Sequence, residues 1–409
     1  MAGYKLLHIS NFYPEYLKSY YDKFPEITKK SFKDQYAHLM NDTCEPKIHM
    51  LSHFQSFGAE TCNIITNALP LQNAWQSDEK SNQKGKKKLI LEQIKKFQPD
   101  VVWIDDISLI NSEYLNQIRD EIPHLKLLIT SFCTNYNSEI LHHLKAFDFV
   151  ITCTPGLNNF FNNLGLKSYL VYFGFEPSVL KILDIDNPYE ISKFLFTGSL
   201  YSGSGNHNLR LQYIQEIIKE GIPVSIYGNI EKISKVRLKQ AYYVLLKTLR
   251  VLHLQKIIKH VSFLKKHEDY GMSPVLGYSR ELRKRIKPPV FGLNMFKLMS
   301  KAQIIFNQHA DIAGDFAGNI RLFEATGVGS CLLTDHKKNI TDLFIPDYEI
   351  VTYNSINECI EKIKWLLDHP KEVEKVAEAG QKRTLKDHTM IRRAEQINEI
   401  ILNEIYRRK

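Results

Sequence analysis

Short apolar runs alternate with amphipathic helical stretches along this chain, break off once, and then begin again. That double alternation limits the fold more than any other feature of the sequence. In the first half the apolar runs stand at residues 4–9, 62–65, 101–104, 127–129, 149–152 and 169–173. Helical patterns such as "LILEQIKKF" and "NSEILHHLKAF" lie between them. "TPGLNNFFNNLG" carries the punctuation of a whole helix, with Thr154 as N-cap, Pro155 at the first helical position and Gly165 past the end. The segment "FGFEPSVLKILDIDNPYEI" then interrupts the rhythm with two prolines and a run of turn residues. Past it the alternation resumes through "KFLFTG", "PVSIYG", "QIIFN", "SCLLT" and "EIVTY", and helical stretches close the chain.

Strands alternating with helices make parallel, doubly wound sheets. A chain of 409 residues is also too long for one core, since cores stop growing beyond about 250–300 residues. The expectation is therefore α/β, with two successive doubly wound domains: 1–173, a linker at 174–192, and 193–386, followed by a helix at 387–409. Such sheets bind ligands at the carboxyl ends of their strands, and two in tandem place a ligand in the cleft between them.

Several classes fall away. No window of about 18 uninterrupted apolar residues reads as a transmembrane helix, and "MAGYKLLHIS" is not a signal peptide. The six cysteines are scattered, with no CxxC pair, which points to buried thiols in a reducing compartment. A cytoplasmic protein is expected. The charge is uneven: residues 230–287 hold 15 Lys/Arg against 4 acids, a local +11 in a chain whose total is +9. This basic helical insert carries apolar clusters such as "AYYVLLKTLRVL". It reads either as an ordinary amphipathic helix or as a surface for an anionic membrane, which would make the protein peripheral at the inner face. A nucleic-acid partner is not expected, because no recognised binding motif accompanies the charge.

The stretch "GNIRLFEATGVGSCLLTD", residues 318–335, raises a chemical question. Asn319 is a good N-cap and Gly327 a good stop. Arg321 nonetheless sits in the first turn, where a cation opposes the helix dipole. A diphosphate bound at the helix start would reward it, with Ala317 and Gly318 letting the anion approach the backbone. Glu324, one turn on, would accept from ribose hydroxyls. The plainer reading is an intrahelical Arg–Glu pair.

"FTGSLYSGSGNHNLR" is a second phosphate candidate, through Gly198, Ser199 and Arg210, although it is neither a Walker loop nor a dinucleotide fingerprint. Pro289 stands in the turn before "FGLNMFKLMSKAQIIFNQHAD"; past the following strand, with Asp311, His309 reads either as a catalytic donor to a phosphate or to the departing sugar, or as a structural histidine. On the first domain, Asp105 and Asp106 end "VVWIDD" and face the expected cleft. Paired carboxylates there suit a catalytic base, or simply a cap and turn. His8 reads as core. "DID" at 184–186 resembles a metal-binding D-x-D only by chance. The aromatic segment "NFYPEYLKSYYDKFPEITKKSFKDQYAHLMND" reads either as a helical cover on the sheet or as a loop over the cleft.

The order "RLFEA", "GVG", "LLTD" and "AEAGQKRTLKDHT" resembles the C-terminal domain of group 1 glycosyltransferases, from about residue 194 onward. The branch it looks most like is the spore-maturation (CgeB-like) type found among surface-polysaccharide enzymes. "LPLQNAW", "FQPDVVWIDD" and "LVYFGFEPSVL" fit the first domain more loosely. The resemblance implies the GT-B fold: two facing Rossmann-like domains, with a C-terminal helix crossing back toward the first. It implies a nucleotide-sugar donor held by the second domain at Gly198, Ser199, Arg210, Pro289, Asn319, Arg321 and Glu324. It further implies a glycan or lipid-linked acceptor on the first domain, with neither metal nor cofactor, the nucleotide sugar being substrate. Phe316 stands where the wider retaining group has a glutamate, so stereochemistry does not carry over. A sugar-nucleotide 2-epimerase shares the fold, and a non-catalytic subunit of a glycan assembly complex is the other alternative.

Overall fold

The computed structural model describes residues 3–42, 46–202, 208–261, 264, 274–309 and 314–408. It contains two six-stranded sheets whose recorded strand pairs are all parallel. The first holds β1 (Lys5–Ser10), β2 (Glu60–Ile65), β3 (Val101–Ile104), β4 (Leu127–Ser131), β5 (Phe149–Thr152) and β6 (Ser168–Leu170), in the order β2-β1-β3-β4-β5-β6. The second holds β7 (Ser192–Thr197), β8 (Ser225–Tyr227), β9 (Ile286–Lys287), β10 (Ala302–Asn307), β11 (Cys331–Asp335) and β12 (Val351–Tyr353), in the order β12-β11-β10-β7-β8-β9.

Both faces of each sheet are covered, and this is why the central strands read as unbroken apolar runs. Every residue of β3, β5 and β11 is buried. Two strand expectations change. The run at 169–173 shortens to β6 because the chain leaves the sheet: Phe175 pairs instead with Thr389. β9, two residues in a basic stretch, has no apolar run to announce it.

The final helix, Met390–Tyr406, belongs to the first domain's packing although it is last in the chain. Met390, Ala394, Ile397 and Ile401 are buried with Leu6, Met50, Trp103 and Ile129. Glu404 accepts from Lys167 Nζ at 2.5 Å and from the Tyr169 hydroxyl at 2.7 Å. The aromatic segment after β1 forms helices Pro14–Lys23 and Phe32–Asp42 around a 3-10 turn. Tyr16, Tyr20, Ile27 and Leu39 make a satellite core there, so the cover reading holds for most of it. Tyr13 is the exception at 66% exposed. Among the described residues, no helix is long and apolar enough to cross a membrane.

Candidate active site

A parallel sheet opens a crevice where its strand order reverses. In the second sheet the reversal lies between β7 and β10, just past Thr197 and Asn307. A cavity of about 460 Å³ occupies that place. It is lined by Gly198, Ser199 and Arg210, by Pro289 and Phe291, and by Asn307, Asn319, Ile320 and Arg321, with Tyr13 reaching in from the first domain. The Tyr13 and Phe291 rings stand 5.7 Å apart across its mouth. Six residues expected to hold a donor thus line one cavity, although they come from three separate stretches of chain.

Gly228, which sequence reasoning did not single out, fixes the β7 loop. A Cβ there would lie 1.9 Å from the Gly198 carbonyl oxygen, so only glycine lets the two loops approach. Arg210 ties the β7 loop to the loop after β10, donating from Nη2 to the Gln308 carbonyl at 2.7 Å and from Nη1 to the Ser199 carbonyl at 3.4 Å.

The segment 318–327 departs from expectation. The helix runs Arg321–Gly327, with Ile320 before it and no side-chain cap. Asn319 is therefore not the N-cap; its Nδ2 donates to Asn307 Oδ1 at 2.8 Å and ties the segment to β10. Gly318 is small for another reason than an approaching anion. A Cβ there would lie 2.1 Å from the Cys153 carbonyl oxygen of the first domain. Arg321 Nη1 stands 2.8 Å from Glu324 Oε2 and 2.7 Å from the Met299 sulfur. The pair at the helix start is real, and the guanidinium still borders the cavity. Glu324, expected to accept from ribose hydroxyls, is not among the residues lining it: its carboxyl is buried and paired with Arg321. Burial pushes the Glu324 pKa up, and the Arg321 charge only partly offsets that.

His309 is also set back from the cavity wall. Its Nδ1 lies 2.7 Å from Asp335 Oδ1, which also accepts from its backbone N–H at 2.9 Å. Burial works against the Asp335 carboxylate, but the charge and hydrogen bonds of His309, with Lys337, hold it at about 2. This arrangement makes His309 an anchor of the loop after β10. Asp311 lies outside the described residues.

In the first sheet the order reverses between β1 and β3, where Asp105 and Asp106 lie. Neither is placed as a ready base. Asp105 accepts from the Trp103 indole and the Ser131 amide, each at 2.9 Å, and stands 2.8 Å from His8 Nε2. Asp106 is fully buried and caps a 3-10 turn through the Ser108 amide at 2.9 Å. It also accepts from Thr66, from Ser108 Oγ at 2.7 Å, from Lys86 Nζ at 2.6 Å and from Asn11 at 3.4 Å. Burial raises its pKa, but the donors from Lys86, Thr66 and Ser108 outweigh this and leave it lowered. A carboxylate so satisfied holds Lys86 and is a weak proton acceptor. Lys86 went unremarked in the sequence because "KGKKKL" offers three neighbouring lysines without distinction. A smaller cavity of about 120 Å³, lined by Trp103, Ser131, Cys133 and Cys153, reaches across to Ile320. Ile320 borders both cavities. Asp184 of "DID" pairs with Lys301, away from either.

Residues 216–399 match the family model described as glycosyl transferase-like. No curated protein sequence matches the chain. Solved structures it is similar to include a glycosyltransferase from Rickettsia africae, at 12% identity over 99% of each chain with a TM-score of 0.55. HepE of Anabaena in complex with UDP and glucose matches at 10% identity, over 98% of this chain and 100% of that one, with a TM-score of 0.54. Sucrose-phosphate synthase from Thermosynechococcus elongatus matches at 9% identity over 98% of each chain, with a TM-score of 0.53. At such identities the likeness is one of fold; the family match is what supports a glycosyltransferase. The chain has the GT-B fold, and its residues 216–399 are similar to the glycosyl transferase-like family.

Proposed function

We propose that the protein transfers a sugar from a nucleoside-diphosphate sugar in the second-domain cavity to an acceptor entering from the first domain. The observation that carries this reading is the pair of guanidinium groups, Arg210 and Arg321, on the walls of one cavity at the second sheet's reversal point. As the bond between sugar and diphosphate breaks, negative charge grows on the leaving group. Positive groups already fixed beside it lower that barrier without reorganising. Tyr13 and Phe291 supply apolar ring surface at the cavity mouth for the base. The Anabaena protein of the same fold was crystallised with UDP-glucose, so uridine diphosphate sugars are the first donors to test. With the charge supplied by side chains and backbone, the transfer is proposed to need no metal. The acceptor proposed is a growing surface glycan or its lipid-linked precursor, in line with the spore-maturation-like character of the second domain's motifs.

The test is a thermal-shift screen of UDP, GDP, dTDP and CMP sugars, followed by product analysis with and without acceptor glycans. Selective stabilisation by one donor, and nucleoside diphosphate release that requires acceptor, are expected. Conversion of the donor alone into its epimer would replace transfer by 2-epimerisation. Absence of stabilisation by every donor would remove the site.

A further inference from the structure

Between β8 and β9 the chain leaves the second domain as a helical hairpin, Ile233–Val251 followed by Gln255–His260. Only Val236 and Leu246 of the longer helix are buried. The hairpin has a small core of its own in Leu246, Ile258 and Leu264. Its outer surface is unusual. Leu238, Val244, Leu245, Val251, Leu252 and Ile257 are all exposed, four of them at 58–68%. Leu238, Leu245 and Leu252 are seven residues apart, as are Val244 and Val251, so the five form one stripe along a single helix face. Around that stripe, residues 232–261 contain eight Lys/Arg and no Asp or Glu.

We infer that this hairpin docks the protein on a lipid bilayer with anionic headgroups. An exposed aliphatic stripe needs an apolar phase to enter, and the excess of cations over acids, which persists although Glu231 pairs with Lys235 and Lys239, selects a negative surface around it. A second copy of the chain would bring the same positive charge against itself, so self-association is disfavoured by the feature that draws anionic lipid. Nucleic acid would satisfy the cations but leave the aliphatic stripe in water.

The hairpin is rooted beside the cavity. Glu231, just before it, accepts from Lys239 Nζ at 2.7 Å and from the Ser202 amide at 3.0 Å. Lys239 also donates to the Ser202 carbonyl at 2.5 Å. Ser202 follows Tyr201, and Glu231 lies close to Asn229; Tyr201 and Asn229 both line the cavity. The base of the hairpin is thus fixed to the rim of the cavity. That the bilayer delivers a lipid-linked acceptor rests on the glycosyl-transfer reading above; the docking itself does not.

The experiment is co-sedimentation of the full chain with vesicles of phosphatidylglycerol and phosphatidylcholine in equal parts, against phosphatidylcholine alone. Binding is expected only to the first. The doubly substituted Arg237→Gln/Lys247→Gln protein should bind more weakly by about fivefold per charge removed. The Val251→Asp/Leu252→Asp protein should lose binding while its circular dichroism and donor-induced thermal shift are unchanged. Equal binding to both vesicle types, no binding to either, or full binding by the Val251→Asp/Leu252→Asp protein would overturn docking. Tighter retention by duplex DNA than by vesicles would also overturn it. Turnover on a water-soluble acceptor is read separately, so a failed docking surface and a failed transferase reading give different results.

Discussion

Replacing Arg321 by methionine separates two roles that the geometry gives to one side chain. The guanidinium borders the second-domain cavity and also pairs with buried Glu324 at 2.8 Å. A charge-assisted hydrogen bond to a phosphate contributes about 1.5–3 kcal/mol, so Arg321→Met should weaken UDP binding by about 10- to 150-fold. The same change strands a carboxyl that has no well-aligned hydrogen bond on Oε2. Breaking a fully buried pair costs about 3–5 kcal/mol, and this one borders a cavity, so about 3 kcal/mol or less is expected. The pH dependence has a definite sign. Burial already raises the Glu324 pKa above its usual 4.5, and Arg321 is the group that opposes this. Without the arginine the folded pKa rises further. A raised carboxyl pKa favours the folded state below the unfolded value, and that advantage is lost as pH rises through the folded value. The instability of Arg321→Met should therefore be slight near pH 4.5 and then grow by up to about 1.4 kcal/mol per pH unit until the carboxyl ionises. Adding Glu324→Gln should restore stability at neutral pH and leave UDP binding weak. Urea denaturation across pH with calorimetric UDP titrations reads both quantities. Wild-type UDP affinity in Arg321→Met, or its return in the double variant, would show that the arginine serves only its neighbouring glutamate.

Three further outcomes follow from other contacts. Gly318→Val puts a Cβ 2.1 Å from the Cys153 carbonyl oxygen; it should abolish transfer by wedging the domains apart, with an increased radius of gyration in X-ray scattering and retained UDP binding. Asp106→Asn should cost about 1–3 kcal/mol in chemical denaturation. Because the Asp106 pKa is depressed, its contribution is complete above the unfolded value and fades as pH falls through the folded one, so the variant should lack that acid-dependent loss. His388 sits between the Leu343 carbonyl at 2.8 Å and Arg393 at 2.9 Å, and burial, with Arg393 adding to it, lowers its pKa to about 4. Wild type should lose about 3 kcal/mol as pH falls from the unfolded value of 6.5 toward 4, a slope that His388→Gln flattens.

The double alternation was legible because buried parallel strands must be apolar on both faces, as in "VVWI" and "CLLTD". The cavity residues were legible because loops at strand ends keep small and charged side chains that a core would reject, as at Gly198, Ser199 and Arg210. The roles inside the site were less so. Asp105 and Asp106 have the composition of a catalytic pair, but composition does not reveal that His8, Trp103, Thr66 and Lys86 already occupy their oxygens. Those partners lie between 2 and 97 positions away in sequence. Gly228 and Gly318 were missed or misread for a related reason: what excludes a Cβ at each is another loop's carbonyl, a tertiary contact with no local pattern.

The short segment before Arg321 joins the two halves of the proposed chemistry. Phe316 packs where a Cβ on Gly156 would lie 2.8 Å from its ring, and Gly318 sits against Cys153 and Thr154. Both contacts are with the first domain, at the end of β5 and the start of the following helix. The next three residues, Asn319, Ile320 and Arg321, line the second-domain cavity, and Ile320 borders the smaller first-domain cavity as well. Asn339 braces the same segment, accepting from the Ala317 amide at 2.6 Å while donating to the Tyr172 hydroxyl at 3.0 Å. A change in how the domains meet therefore shifts the first domain relative to the residues proposed to meet the donor. With donor and acceptor seated as proposed, the contacts of Phe316 and Gly318 with the first domain set the spacing between them, so a substitution at either should alter turnover more than it alters UDP affinity, whereas one at Arg321 should do the reverse.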